Sequence, residues 1–362
     1  MPTPVITNNV LGWAFQTSFV NNVKRPSQFL KQLYFEGREQ NVPTESIEYS
    51  FKEGDRLLAP FVEVNGEAVS VGGRSVTFAN ISAPNIKLKR AMDAYNSLLR
   101  RLPNTDVFIT GGDAVLRARM EAVAEDTEFM EDMILNREEW MVAKMLTDTT
   151  SGSINLEYAV AEKANFKITI PRHTDMTVSL AGGAAEWDDN TGAGIKGDFM
   201  KVKRAFSKHL NRTARICIMG SDASDYFLGA DSVVALLDKR NVAAGTQELI
   251  NQFNDMGAIY LGTFCGIPCW EYSREYIDDI TGAATPFIPA KVAVFLSGGN
   301  NEGKMVYGAI PDHDAMDQGL LMSKRFAKSW KIPDPSSQVQ LLQSRPLPLI
   351  RQPNAHYVLT VS

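Results

Sequence analysis

The chain has 362 residues, 44% of them hydrophobic, with 37 basic against 42 acidic side chains and a formal net charge of −5. That length holds two modest domains or one elongated body with extensions, and the apolar content is ordinary for a folded protein. The negative balance argues against a dedicated nucleic-acid binder, and three cysteines in no framework spacing point to a reducing place of assembly.

Residues 1–24 are apolar but without period. Val5, Ile6, Val10, Leu11, Trp13, Phe15, Phe19 and Val20 lie among Thr and Asn, and no charged side chain occurs before Lys24. Asn8, Asn9, Gln16, Asn21 and Asn22 break up any continuous apolar core, and no basic segment precedes it. Neither a signal peptide nor a spanning helix fits. Such a stretch is expected to lie against its own body or a neighbour. After Pro26-Ser27, the residues Phe29, Leu30, Leu33 and Tyr34 predict a short amphipathic helix, and alternating Ile47, Tyr49 and Phe51 predict a strand.

Residues 54–90 carry the turn signals Asn65-Gly66 and Gly72-Gly73 between β-rich flanks that include Val62, Val64, Val69, Val71, Val76 and Phe78, with Pro60 and Pro84 as brackets. This reads as a long two-stranded excursion with too few apolar residues for its own core. An isolated ribbon is marginal in water, so it must fold back on its parent domain or rest on something else.

A helix is predicted over 113–148. Leu116, Met120, Val123, Met130, Ile134, Met141 and Met145 recur at steps of three and four, with Thr127 and Arg137 between them, and no Pro or Gly interrupts until Gly152. Asp113 after Gly111-Gly112 reads as its N-cap. Glu121, Glu125, Asp126, Glu128, Glu131 and Asp132 are expected on the faces turned from the core. About 35 helical residues at ~1.5 Å each make a rod of roughly 50 Å, a beam on which other elements lean.

Beyond it, Ile154, Leu156, Tyr158 and Val160, then Phe166, Ile168 and Ile170, alternate as a β-hairpin. Gly182, Gly183, Gly192, Gly194 and Gly197 mark a crossing and a boundary near residue 190. The next 120 or so residues alternate between periods: helices over 198–210, 226–237 and 247–256, and strands over 215–219, 258–261, 268–272, 292–296 and 306–310, the pattern of a compact α/β module. The tail from Trp330 is proline-rich and ends in the strand-like Tyr357-Val358-Leu359, expected to return to the hairpin of residues 154–170.

Several groupings invite a chemical reading. Cys265 and Cys269 are metal-like in spacing, but zinc needs four ligands, and Cys217, His173, His209, His313 and His356 all stand far off in sequence. Two small apolar cysteines beside a strand is the simpler reading. Asp312-His313-Asp314 with Asp317 follows a strand and Pro311, which reads as a solvated loop. Ser221-Asp222 sits where α/β enzymes place catalytic groups, yet no nucleophile elbow, phosphate loop or dinucleotide fingerprint occurs, and Asp222 reads as a helix cap. Lys201, Lys203, Arg204, Lys208, Arg212 and Arg215 form a basic run that helical spacing spreads over more than one face. No catalytic, cofactor-binding or metal-binding residue is assigned.

The order of apolar arm, β-excursion, long helix, hairpin, α/β insertion and returning β tail resembles the major capsid proteins of tailed bacteriophages, the Hong Kong 97-like fold. Particular stretches narrow the likeness to the lambda-type capsid protein E family. These are residues 26–38 (PSQFLKQLYFEGR), residues 73–90 (GRSVTFANISAPNIKLKR), Trp187-Asp188, Tyr307-Gly308 with Asp312 and Asp314-Ala315, Trp330 with Asp334-Pro335, and Gln343-Ser344 before Pro346-Leu347. The resemblance implies an α+β capsid fold: an N-terminal arm (1–50), an extended loop and its base (51–110), a peripheral domain with the spine helix (111–190), an axial domain (191–320) and a return to the peripheral domain (321–362).

The implied function is structural: a head protein assembling as hexamers and pentamers into an icosahedral shell around double-stranded DNA. Arm and excursion would then bury their apolar area on neighbouring subunits. Implied partners are copies of this chain, a separate scaffold, a portal, a decoration protein at three-fold positions, and packaged DNA touched weakly and without sequence preference; no membrane is implied. The implied location is the virion, with assembly in the host cytoplasm. The family has no catalytic residue and no cofactor. Lys87, Lys89 and Asn354 could be compared with the cross-linking pairs of some relatives, but nothing around them identifies an acid–base helper. An encapsulin-like compartment and an oligomeric α/β enzyme with exchanged arms remain as alternatives.

Overall fold

The computed structural model describes residues 28–35, 38–44, 46–52, 76–93, 112–150, 152–158, 166–180, 186–188, 194–230, 233, 257–278, 281–297, 303–317, 323–334 and 336–362. The apolar stretch 1–24, both turn signals of the excursion and the helix expected over 247–256 lie outside these residues.

In chain order, α1 (Phe29–Phe35) leads to β1 (Glu39–Asn41), β2 (Ser46–Lys52), β3 (Val76–Ser82) and β4 (Ile86–Asp93). The long helix α2 (Gly112–Thr147) follows, then β5 (Thr149–Thr150), β6 (Ser153–Tyr158) and β7 (Phe166–Pro171). A 3-10 turn, Thr174–Met176, opens onto β8 (Thr177–Ser179). Next come α3 (Ile195–Leu210), β9 (Ile216–Met219) and α4 (Ser221–Gly229). Strands β10 (Ala258–Phe264), β11 (Ile267–Tyr272), β12 (Glu275–Ile277), β13 (Ala284–Pro286), β14 (Val292–Leu296) and β15 (Gly303–Tyr307) precede the single turn α5 (His313–Asp317). The tail forms β16 (Phe326–Ile332), β17 (Ser337–Ser344), β18 (Pro346–Ile350) and β19 (His356–Thr360). Among the described residues no helix is long and apolar enough to cross a membrane.

The central sheet has six strands in the order β10-β11-β9-β14-β19-β8. Period-two alternation sorts its side chains onto two faces. Cys217, Met219, Cys269, Ala293, Phe295, Tyr357 and Leu359 join one core with Phe199, Phe206 and Phe227 of α3 and α4. Their neighbours Ile218, Trp270, Val294 and Val358 join the other, with Phe29 and Leu30 of α1, Met141 and Met145 of α2, and Ile154 and Ile170 of the β6–β7 hairpin. Both faces are therefore covered, as the apolar run Val292–Leu296 requires.

The tail does not return to the hairpin as expected. Strand β19 pairs antiparallel with β14 and parallel with β8, completing the central sheet instead. The parity of a strand fixes which residues face inward; it does not choose the partner.

The long helix is observed one residue N-terminal of its expected span, so Asp113 stands inside the first turn rather than at the cap. From Val123 on, its stripe is buried where expected: Val123 meets Met92, and Met130 and Ile134 pack on Ala327 and Leu342 of the β16-β17-β4 sheet. Toward the C-terminus Met141, Val142, Ala143, Met145 and Leu146 are all buried, so the covered face widens over the last turns, with Lys144 and Thr147 half-buried.

The arm also differs from expectation. Residues 28–35 do not wait for a neighbour: Phe29 and Leu30 are fully buried in this chain's own core, and β1 runs parallel to β15. Gly303 permits this, because a Cβ there would stand 2.6 Å from the rings of Tyr34 and Phe35. The base of the excursion is a two-stranded ribbon, β2 against β3, with Ile47 and Ile81 buried in the same core.

Candidate functional site: the junction of arm, spine and sheets

The groupings read from sequence do not converge into a reactive centre. Cys265 and Gly266 are the two loop residues between β10 and β11, with φ of 51° and 74°. Two positive φ values in a two-residue hairpin loop are the requirement of a type I′ turn, so Cys265 serves the turn. Cys269 lies beside Cys217 on the adjacent parallel strand, both fully buried, and burial pushes the Cys217 thiol far up. Asp312 and Asp314 are engaged by Lys328, at 2.7 and 2.9 Å. Asp222 is inside the first turn of α4, whose N-cap is Gly220, and it accepts a hydrogen bond from the Ser221 hydroxyl at 3.2 Å. Within the basic run, Lys201 pairs with Asp198 and Lys208 with Asp175, while the Lys203 ammonium donates to the Cys265 carbonyl.

The densest charge in the described residues is a network that sequence reading missed. Glu138 of α2 is fully buried, 2.7 Å from the Arg325 guanidinium and 2.6 Å from the Lys31 ammonium. Arg325, 1% exposed, also holds Glu131 at 2.9 Å and donates to the Ser344 hydroxyl at 2.8 Å. Lys31 reaches on to Glu39 at 3.1 Å, and Lys324 holds Glu39 at 2.8 Å. The ring of Tyr307 lies under Lys31, Lys324 and Arg325 at 5.4 to 5.9 Å. One helix, the arm, β15 and the tail thus meet around three carboxylates, Glu138, Glu131 and Glu39.

The neighbouring carboxylate works differently. Glu139, also fully buried, accepts the backbone amides of Leu30 and Lys31 at 2.8 and 3.0 Å and the Tyr272 hydroxyl at 3.0 Å. It satisfies amide donors at the start of α1 that the helix cannot satisfy itself. Arg274 continues the stitching by donating to Asn136 at 2.9 Å and to Gln28. At the other end of the tail, Arg345 donates to the carbonyls of Ala83 and Ala309, at 2.8 and 2.9 Å, and so ties the ribbon base to β18.

Electrostatics follow from who is paired. Burial alone would raise the Glu138 carboxyl, but Arg325 and Lys31 outweigh it and hold the group at about 2. Burial wins at Glu139 and at Glu131, and both are pushed above the usual carboxylate range. Burial would lower Lys31 and Arg325, yet Glu138 overrides it and raises both.

Asp126 and Glu131, expected on solvated faces, are therefore corrected: they are 2% and 7% exposed, and Asp126 meets Arg90 at 3.3 Å. A signal existed at Glu138. It falls four residues after Ile134 and three before Met141, a core position of the same stripe, whereas Arg137 sits half-buried with its guanidinium over Trp140 at 4.9 Å. An acidic residue in core register signals a buried cation elsewhere, but not which one. Among the described residues the arrangement offers no nucleophile beside a base; it ties together segments far apart in the chain.

The comparisons with known proteins can be set beside this geometry. The family model "Phage major capsid protein E" matches residues 13–361. The major capsid protein of Escherichia phage lambda is 24% identical over 321 residues, covering 86% of this chain and 87% of that one. The major capsid protein of Escherichia phage N15 is 24% identical over 245 residues, covering 64% and 70%. Among solved structures, a prophage capsid protein of Escherichia coli CFT073 superposes with a TM-score of 0.73 at 17% identity, covering 97% of this chain and 99% of that one. A phage-related protein of Bordetella bronchiseptica RB50 gives a TM-score of 0.54 at 10% identity, covering 96% and 97%. The shared fold is the Hong Kong 97-like capsid fold.

Proposed function

The chain belongs to the family of phage major capsid protein E, and from that premise we propose that it assembles as hexamers and pentamers into an icosahedral shell around phage double-stranded DNA. It is a structural protein of a capsid, not an enzyme by family. The observation that carries the reading is the extent of the family match, residues 13–361, which takes in the spine helix, both ends of the excursion, the central sheet and the tail.

The division into arm (1–50), extended loop (51–110), peripheral domain (111–190 and 321–362) and axial domain (191–320) is part of this proposal. Since α1 and β1 are built into their own subunit, the reaching part of the arm is the apolar stretch ahead of Gln28. In water that stretch has nothing to gain from exposure, and a standard interface of ~1,600 Å² at ~25 cal/mol per Å² outweighs what it could bury alone, less ordering costs. A net charge of −5 suits an inner wall that touches DNA weakly. A separate scaffold and a portal are proposed partners, with a decoration protein at three-fold positions a further one, and the host cytoplasm the place of assembly.

Electron microscopy of the protein expressed with and without residues 1–24 tests the proposal. Closed shells or hexamer sheets are expected from the full chain, and a folded, non-assembling body from the truncated one. A monodisperse dimer or tetramer of the full chain with enzymatic turnover overturns it. Shells that package enzymes rather than DNA favour the compartment.

A further inference from the structure

A second cluster lies apart from the junction, where three separate segments meet: the turn Thr174–Met176, the last turn of α3 and the 3-10 turn Pro353–Ala355. His173 precedes the first turn and Asp175 lies within it, so two residues of spacing bring both side chains to one side. His209 comes from the end of α3, and its ring lies against that of His173, tilted by 38°, with centroids 3.7 Å apart. The Asp175 Oδ2 lies 3.0 Å from His209 Nε2 and 3.6 Å from His173 Nδ1, and the three donor atoms fall within 4.8 Å of one another.

We propose that His173, Asp175 and His209 form a binding site for a divalent transition-metal ion of the zinc class, with the remaining coordination positions left to water. The two oxygen–nitrogen distances are near those the ion needs, and the two rings, whose centroids stand 3.7 Å apart, would swing apart for both to ligate it. Bonds of about 2.0–2.2 Å to nitrogen and carboxylate oxygen, arranged tetrahedrally, set donor atoms roughly 3.3 Å apart, and the two oxygen–nitrogen separations bracket that figure. Two imidazoles and one carboxylate are a donor set suited to zinc, nickel, cobalt or copper rather than to calcium or magnesium.

The segments that carry the donors are also held in place. His173 is anchored through its backbone amide, which donates to the Asn354 side-chain oxygen at 2.9 Å. His209 has a side chain only 6% exposed, on a helix whose Phe206 is fully buried.

Two present contacts compete with an ion. The Lys208 ammonium sits 2.7 Å from Asp175 Oδ2, on a side chain 59% exposed and able to swing into water. The Asp175 amide donates to His173 Nδ1 at 3.2 Å, a bond given up on ligation. A bound ion would clamp the end of α3 to the segment that feeds β8, the edge of the central sheet.

The test is calorimetric titration of tag-free, full-length protein with zinc chloride. One ion per subunit is expected, with a rise of a few degrees in unfolding temperature, and cobalt should give visible d–d bands. His173→Ala, at a half-exposed position that folding tolerates, and Asp175→Asn should each weaken binding tenfold or more and abolish the thermal shift. Lys208→Met should tighten binding several-fold, and His313→Ala should leave it unchanged. Absence of stoichiometric binding by the wild type at micromolar free zinc overturns the proposal. So does unchanged affinity in both His173→Ala and Asp175→Asn, or weaker binding by Lys208→Met.

Discussion

Arg325 and Glu138 meet at 2.7 Å with side chains 1% and 0% exposed, although one belongs to the tail and the other to the spine helix. Neither charge could be left alone there, so each is a condition for the other's burial. Replacing Arg325 by Met takes from Glu131 the guanidinium it pairs with and leaves Glu138 to Lys31 alone. The expected cost is about 3–5 kcal/mol, the range for breaking a buried pair from one side. Urea denaturation of the unassembled subunit measures it, and adding Glu138→Gln should recover part of the loss. A loss under about 1 kcal/mol would mean that water reaches these carboxylates.

The same carboxylates set an acid response. Glu138 titrates lower in the folded chain, at about 2, than its ordinary 4.5. Its contribution is therefore present above 4.5 and is lost as pH falls through that window toward 2. Glu131 and Glu139 have the opposite sign: their folded values are raised, so native protein takes up their protons first and gains stability as pH falls toward 4.5. The stability difference between wild type and Glu138→Gln should narrow between about pH 4.5 and 2. A difference that stays constant across that window contradicts the assignment.

Along α2, faces should differ sharply. Met130 is 4% exposed against the β16-β17-β4 sheet, while Glu128 is exposed. Met130→Asp buries an unpaired carboxylate and should cost at least about 3 kcal/mol, whereas Glu128→Ala should stay within about 0.5 kcal/mol. Equal melting temperatures would place the buried face elsewhere.

Gly303 controls the seat of α1. A methyl at this position meets the rings of Tyr34 and Phe35 at 2.6 Å, and two flanking aromatics cannot both move freely in a closed core. Gly303→Ala should loosen α1 before it unfolds the body. Hydrogen exchange would show it as faster exchange of the Leu30 and Lys31 amides, which Glu139 now holds, with α2 still protected. Unchanged protection of those two amides would show that the core absorbs the methyl.

Local chemistry was legible in the sequence; pairing across the chain was not. Strand β14 was read within its observed bounds because five successive apolar residues between polar flanks admit few other readings. The hairpin β6–β7 was read from alternation, and the helix from its period. Glu138 was not read, because its partners Lys31 and Arg325 lie in other segments and no spacing links them. His173 and His209 were weighed against the cysteines rather than against each other, and only folding brings their rings together. The place of β19 was missed for a related reason: its apolar residues suit any sheet with two covered faces.

That strand also sets an order in time. β19 lies between β14 and β8 in the central sheet, yet it is made after every other described strand. Synthesis runs at about 5–20 residues per second, so for many seconds β8 has no hydrogen-bonding partner on the side that β19 will fill, and both cores lack Tyr357, Val358 and Leu359. The central sheet thus cannot close until Tyr357, Val358 and Leu359 have been made and have left the ribosome. Proteolysis of ribosome-bound chains of graded length would reveal it: resistance of the central sheet should appear only in chains long enough to expose β19.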